Sequence, residues 1–263
     1  MKKSVVEIKK NKKNIKVIFN DDTFFEMNED VFTDYYIYIG KEFEFEEIKE
    51  IEDKVNYIKH YDYIVKLLLK RPYSRKKIID KLKVRKNINY YQIEKIVKRL
   101  EENNLIDDER FSKELIDELE SKKYGFNRIV HELEKEDLKQ YIKLISFDFD
   151  KEIEKAKYHL NNLVKKYDNY SFNKMKDSLY ESYYRLGFKD EVIKIVIEQL
   201  NKDLIYDNEK EKIYNDYLKI TIKMDNEEKN NQKQRIIERL LRKGYRFYDI
   251  IDVIERFEDG KIY

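Results

Sequence analysis

Gly125-Phe126-Asn127-Arg128-Ile129-Val130-His131-Glu132-Leu133 is the stretch whose reading decides the fold. Phe126, Ile129, Val130 and Leu133 recur at helical spacing, so one face of this segment is apolar. A second segment, Leu138 to Ile145, follows it and reads as another helix. The same arrangement occurs three more times. Ser74 to Leu82 precedes Tyr91 to Leu100, and Met175 to Leu186, then Gly187-Phe188, precedes Asp190 to Leu200. Arg235 to Lys243, then Gly244-Tyr245, precedes Tyr248 to Phe257. Helix, tight turn, helix at a period of about 50 residues is the signature of stacked units that each bury a face against a neighbour.

Working outward, the segments Asp108 to Lys122, Lys151 to Lys166 and Tyr206 to Met224 read as linking helices, which makes each unit three helices. The polar stretch Asp225 to Asn231 reads as a loop. Ile48, Ile51, Val55 and Ile58 carry helical spacing onward through Ile64, Leu67 and Leu68, and Pro72 ends that pattern. The first residues differ. Ile15, Val17 and Phe19 alternate with polar residues as a strand does, and Asn20-Asp21-Asp22 supply turn chemistry before a returning strand, Thr23 to Met27. Ser4 to Ile8 is a candidate third strand, Asn28 a candidate cap for a short helix ending near Gly40, and Phe43 and Phe45 mark a further short strand. The expected fold is mainly α: tandem three-helix repeats in an elongated curved array, with a small α+β, hairpin-containing N-terminal cap. The expected boundaries are 1-58 for the cap and 59-106, 107-149, 150-205 and 206-263 for the four repeats.

Composition agrees with helices. The 263 residues include only 5 Gly and 1 Pro, too few turn residues for an all-β chain of this size. Charged residues reach 42%, well above the usual quarter or so. The 23 Tyr and 14 Phe nevertheless supply a core that a disordered chain lacks. With no Cys, disulfides and thiolate metal sites are excluded. The chain opens without an apolar signal stretch and contains no run of about 18 apolar residues, so a cytoplasmic protein with no membrane partner is expected.

Chemistry-bearing motifs are sparse. His60, His131 and His159 are dispersed, with no spacing suited to zinc, and no glycine-rich phosphate loop exists. Asp107-Asp108-Glu109 and Asp148-Asp150 read better as helix-start caps than as metal ligands. No cofactor, no metal and no enzyme activity is expected.

Charge, by contrast, is patterned. The 56 basic and 54 acidic residues nearly cancel overall, yet residues 66 to 86 hold ten cations and one acid, Asp80. The cations include Arg71, Arg75, Lys76, Lys77, Lys81, Arg85 and Lys86, with Tyr73 among them. The equivalent part of the last repeat holds Lys233, Arg235, Arg239, Arg242, Lys243 and Arg246 against the acid Glu238. Clustered cations neutralise phosphates and release counterions, giving salt-sensitive affinity without sequence preference. On a curved stack, two such patches at equivalent positions would line one groove.

Several segments resemble the RecX family of RecA regulators. Leu105-Ile106-Asp107-Asp108-Glu109-Arg110-Phe111-Ser112 is similar to that family's L-x-D-E-R-F-A signature, and Tyr124 to Leu133 to its G-x-x-R-I-x-x-E-L segment. Arg71-Pro72-Tyr73-Ser74-Arg75-Lys76-Lys77-Ile78 resembles R-x-x-S-x-x-E-L, with Lys77 in place of the acid. Arg185-Leu186-Gly187-Phe188 and Arg242-Lys243-Gly244-Tyr245 resemble its R-x-G-F turns. The N-terminal strands look like the extension of the longer members. One departure is Lys135-Glu136-Asp137-Leu138, where the family often has K-G-I after the helix. The resemblance implies a protein, expected as a monomer, that binds along the groove of the RecA–single-stranded DNA filament. It implies inhibition, for the most part, of recombinase and co-protease activity in DNA repair and the SOS response. The contact residues expected are the basic sets above together with Arg110, Arg128 and Arg185. Asp107, Asp108, Phe111, Gly125, Ile129, Leu133, Gly187 and Gly244 are expected to be structural. The alternatives are a stand-alone DNA-binding helical-repeat protein and a non-catalytic helical scaffold.

Overall fold

Alternation and turn chemistry in the first residues produce a four-stranded antiparallel sheet. In this computed structural model, which describes residues 2–11, 14–200, 202–222 and 229–258, β1 (Lys3–Lys10), β2 (Ile15–Phe19), β3 (Phe24–Met27) and β4 (Glu42–Phe43) are ordered β3-β2-β1-β4. Ile15, Val17 and Phe19 point into a core shared with Val5, Met27, Phe43 and Ile51. Asp22, at φ 62°, occupies the left-handed turn position between β2 and β3. Asn28 caps α1 (Glu29–Asp34) by accepting from the Val31 N–H. The helix ends well before Gly40, because Tyr36 already stands at φ 46°. Phe43 lies in β4, whereas Phe45 opens α2 (Phe45–Leu68), one unbroken helix.

The chain divides into two compact units, Met1–Lys113 and Glu114–Tyr263. In the first, α2, α3 (Arg75–Lys83) and α4 (Tyr90–Glu102) enclose Ile64, Ile78, Leu82, Ile93, Ile96, Val97 and Leu100. The division falls inside α5 (Asp108–Ser121). The second unit contains α6 (Phe126–Lys135), α7 (Phe149–Lys166), α8 (Phe172–Leu186), α9 (Asp190–Glu198), α10 (Lys202–Ile222), α11 (Lys229–Arg242) and α12 (Phe247–Glu258). One of its cores is built on α7, α8 and α9 around Ala156, Leu179, Tyr183 and Phe188. Another is built on α10, α11 and α12 around Ile213, Leu240, Tyr245 and Ile250.

Two expected elements differ. Leu138 to Ile145 is not an α-helix but a 3-10 turn over Lys139–Leu144, none of whose residues is buried. Asp137, at φ 63°, takes the left-handed position that closes α6, and only Leu138 is driven inside. Leu138, Tyr141, Ile142 and Ile145 do recur at helical spacing, but only Leu138 reaches a core, and a stripe that buries so little cannot sustain a longer helix. Of the expected loop Asp225 to Asn231, residues 225–228 lie outside the described residues, and 229–231 belong to the first turn of α11.

The repeats share a device that the sequence motifs only hint at. At the starts of α3, α6 and α8, a carboxylate from a later linking helix accepts the first backbone N–H. Asp108 of α5 accepts from Arg75 N at 2.7 Å, Glu152 of α7 from Phe126 N at 3.0 Å, and Glu209 of α10 from Phe172 N at 2.8 Å. Helix starts leave such N–H groups unpaired and carry partial positive charge, so a carboxylate there satisfies both needs.

Candidate functional site

The N-cap Ser74 starts α3 by accepting from Lys77 N at 3.1 Å. Ile78 and Leu82 then bury their side chains, and helical geometry turns Lys76, Lys77 and Lys83 to solvent. The cations of this face are not equivalent. Arg75 is engaged within the repeat, its guanidinium donating to Glu101 at 3.1 Å and Glu94 at 3.0 Å. Arg71 donates to the Tyr73 hydroxyl at 2.8 Å and lies 4.7 Å over the same ring, with Lys81 4.9 Å from its centroid. The Arg71 hydrogen bond, aided by the charges of Arg71 and Lys81, lowers the Tyr73 pKa. Arg85 sits 4.4 Å over the ring of Tyr63. Lys77, Lys83 and Lys86 are exposed and make no ion pair among the described residues. Tyr90 and Tyr91, which begin α4, are exposed as well.

On α11, Arg235, Arg239 and Arg242 are exposed, as are Lys243 and Arg246 just beyond. Lys243 pairs with Asp216 at 2.7 Å, and Arg242 reaches Glu238 at 4.0 Å. Arg239 makes no ion pair among the described residues. Exposed Phe247 and Tyr248 start α12, in the position that Tyr90 and Tyr91 hold on α4. Of the three scattered arginines, Arg110 resembles the α3 lysines and the other two differ. Arg110 is exposed on α5, Arg128 is held by Glu132 at 2.8 Å, and Arg185 by Glu181 at 3.3 Å.

The expected structural residues carry architecture. Asp107 accepts from Glu109 N at 2.9 Å and Arg110 N at 3.0 Å, an ordinary helix start. Ile129 and Leu133 are fully buried, and Phe111 is half-buried. Gly125 does not provide a left-handed turn, since its φ is −74°. Its requirement is proximity: a Cβ there would meet the Gly187 carbonyl carbon and oxygen at 2.4 Å. The backbones bond directly, Gly125 N to Leu186 O and Asn127 N to Gly187 O, both at 2.9 Å. Gly187 is needed twice over, at φ 89° and with Arg128 N 2.2 Å from where its Cβ would be. Gly244, at φ 90°, stands likewise against Ser171, whose hydroxyl donates to the Lys243 carbonyl at 3.0 Å.

Glu152, Glu209 and Tyr63 escaped the sequence reading. The two glutamates had a faint signal, an acid near the start of each linking helix. Tyr63 had none, because its partner Arg85 lies 22 positions away. Among the described residues, no group of three or more His, Asp or Glu side chains converges to hold a metal ion. No described helix is long and apolar enough to cross a membrane.

Recurrent helix pairs with exposed cations and aromatics define a helical-repeat protein. No family model matches the chain. It is 30% identical over 161 residues to the regulatory protein RecX of Clostridium tetani, covering 60% of this chain and 72% of that one. It is 26% identical over 243 residues to the regulatory protein RecX of Oceanobacillus iheyensis, covering 90% of this chain and 88% of that one. A crystal structure of a regulatory protein RecX shares the fold at a TM-score of 0.52 and 19% identity, over 75% of this chain and all of that one. The chain belongs to the RecX family of regulatory proteins.

Proposed function

We propose that this chain regulates RecA by seating on the RecA–single-stranded DNA filament, mainly inhibiting recombinase and co-protease activity in DNA repair and the SOS response. It acts by binding, as a cytoplasmic monomer, with no chemistry of its own. The observation that carries the reading is the α3 face of a RecX-family chain, where Lys77, Lys83 and Lys86 lack carboxylate partners among the described residues. Cations left unneutralised in a chain of nearly balanced charge favour a polyanionic partner. The contacts proposed are Arg71, Lys76, Lys77, Lys81, Arg85 and Lys86, then Arg110, and on the last repeat Arg235, Arg239, Arg242, Lys243 and Arg246. Arg75, Arg128 and Arg185 contribute less, as does Lys243 within the last-repeat set, because carboxylates already hold them. The test is the ATPase and strand-exchange activity of a cognate RecA–DNA filament with the purified chain added. Inhibition at micromolar concentration that weakens with salt is expected. An unchanged filament would refute the reading.

A further inference from the structure

The turn between α3 and α4 borders a cavity of about 450 Å³. Its walls are Asn56, Lys59 and His60 of α2 together with Val84, Arg85, Lys86 and Asn87 of the turn. Three of these residues are cationic and two bear side-chain amides, and no acidic residue lines the space. Arg75, at the start of α3, is by contrast neutralised by two glutamates. Here Lys59, Arg85 and Lys86 make no ion pair among the described residues. Arg85 is held by stacking on Tyr63, a contact that uses none of its N–H donors. An adjoining cleft shares Asn56, Lys59 and Asn87 but adds Glu26, Glu52 and Asp62, so the acid-free character is confined to the turn.

His60 supplies the independent observation. It is only 3% exposed, and its Nε2 faces the Asn87 carbonyl oxygen at 3.4 Å. Its Nδ1 is buried with no hydrogen-bond partner. A buried polar atom left unpaired is costly in a native fold; with Nε2 donating to the carbonyl, Nδ1 accepts from a water when the ring is neutral and donates to an anion once the ring is protonated.

We propose that this cavity is a phosphate-binding site, taking either a phosphodiester of a nucleic-acid backbone or inorganic phosphate. Lysine, arginine and asparagine residues supplied to one cavity by two elements can offer several donors, which suits a tetrahedral anion with several acceptor oxygens better than a planar carboxylate. Arg85 and Lys86 also belong to the face assigned to the filament, so the nucleic-acid form of the ligand rests on that reading. The phosphate chemistry does not. Burial foremost, then the charges of Arg85 and Lys59, hold the His60 pKa below its ordinary value, and an anion seated among them would raise it.

The experiment is a nuclear magnetic resonance titration of the full chain, first with sodium phosphate at constant ionic strength, then with an oligothymidylate. Phosphate is expected to shift the His60 ring and the 85–87 amides and to raise the pH at which His60 titrates. The Lys59→Gln/Lys86→Gln variant, both of whose sites are exposed, should melt normally and lose these shifts. If the nucleic acid supplies the phosphate, the variant also binds the oligonucleotide roughly tenfold more weakly, with a shallower salt dependence. Lost phosphate shifts with unchanged oligonucleotide affinity would identify the free anion as the ligand. No response of His60 or residues 85–87 to phosphate at tens of millimolar, or a response to polyglutamate alone, would overturn the proposal. Phosphate shifts from a chain that leaves RecA–DNA filaments untouched would sink the filament reading and leave the phosphate site standing.

Discussion

The α3–α4 pair and the α8–α9 pair are built to the same plan and put to different use. Over residues 172–200, α8, α9 and their turn carry five cations and five acids, and buried Leu179, Tyr183, Phe188, Val192, Ile193 and Val196 make a dense core. Their turn is closed by contact, since the start of α6 docks on Gly187 backbone to backbone. Over residues 75–102, α3, α4 and their turn carry ten cations and four acids, and seven of those cations with one acid fall within 75–86. The turn here, with Asn87 rather than glycine in the left-handed position at φ 57°, borders a cation-lined cavity. One repeat spends its turn on architecture and the other keeps it available. The helix-turn-helix plan itself is therefore neutral about function, and what stands against the turn decides.

That contrast can be broken most severely at the glycine. Gly187→Val places a side chain where Arg128 backbone already sits, in a conformation valine avoids. It is expected to cost on the order of 4 kcal/mol or to abolish the cooperative melt followed by circular dichroism. Asn87→Gly, at the matching turn, should change stability by less than about 1 kcal/mol. Equal losses at the two turns would erase the distinction drawn here.

Next in size is the shared carboxylate cap. Glu152 satisfies Phe126 N and also pairs with Lys155, whose side chain is 11% exposed. Glu152→Leu strands the Phe126 N–H and leaves Lys155 with Glu120 alone, and a loss of about 3 kcal/mol in urea unfolding is expected. Asp108 is only half-buried, so Asp108→Ala should cost about 1 kcal/mol.

Glu209 makes the cap comparison pH-dependent. Burial, ahead of the opposing hydrogen bond from Phe172 N, raises its pKa. The folded state thus binds this proton more tightly than the unfolded state does. The associated stability is present at low pH and lost as pH rises through the raised pKa. Glu209→Gln removes that slope while keeping an acceptor. The variant should gain on the parent chain as pH rises from the usual carboxylate range toward neutrality, by less than about 1 kcal/mol. A difference that ran the other way in urea melts across that range would contradict the assigned direction.

The smallest effects on stability, and the most informative for function, lie on α3. Lys77→Glu should leave the melt unchanged and weaken filament binding roughly tenfold, more steeply at low salt. Arg75→Gln should do the reverse, costing up to about 1 kcal/mol of stability through its two exposed ion pairs with little change in binding. Binding that tracked Arg75 and ignored Lys77 would reverse the ranking of cations made here.

Much of this was legible from the chain. Apolar spacing at Ile129 and Leu133, Ile78 and Leu82, Ile236 and Leu240 fixed helices and their inner faces, and alternation at Ile15, Val17 and Phe19 fixed the strand. Ser74 and Asn28 announced their caps. The cation clusters were visible as runs. Their inequality was not: Arg75 and Lys77 look alike in sequence, and only partners arriving from α4 separate them.

Periodicity is a local property, so the sequence by itself determined which segments coil, which faces turn inward and where helices begin. Proximity between distant residues is not local. Only the tertiary structure decided that Gly125 is glycine because Gly187 lies against it, and that Glu152 and Glu209 close helices begun 26 and 37 residues earlier. It alone placed His60 beside a turn 27 positions away in a pocket with cations and no acid. Such contacts depend on how packed faces bring remote segments together, and no spacing rule along the chain encodes that distance.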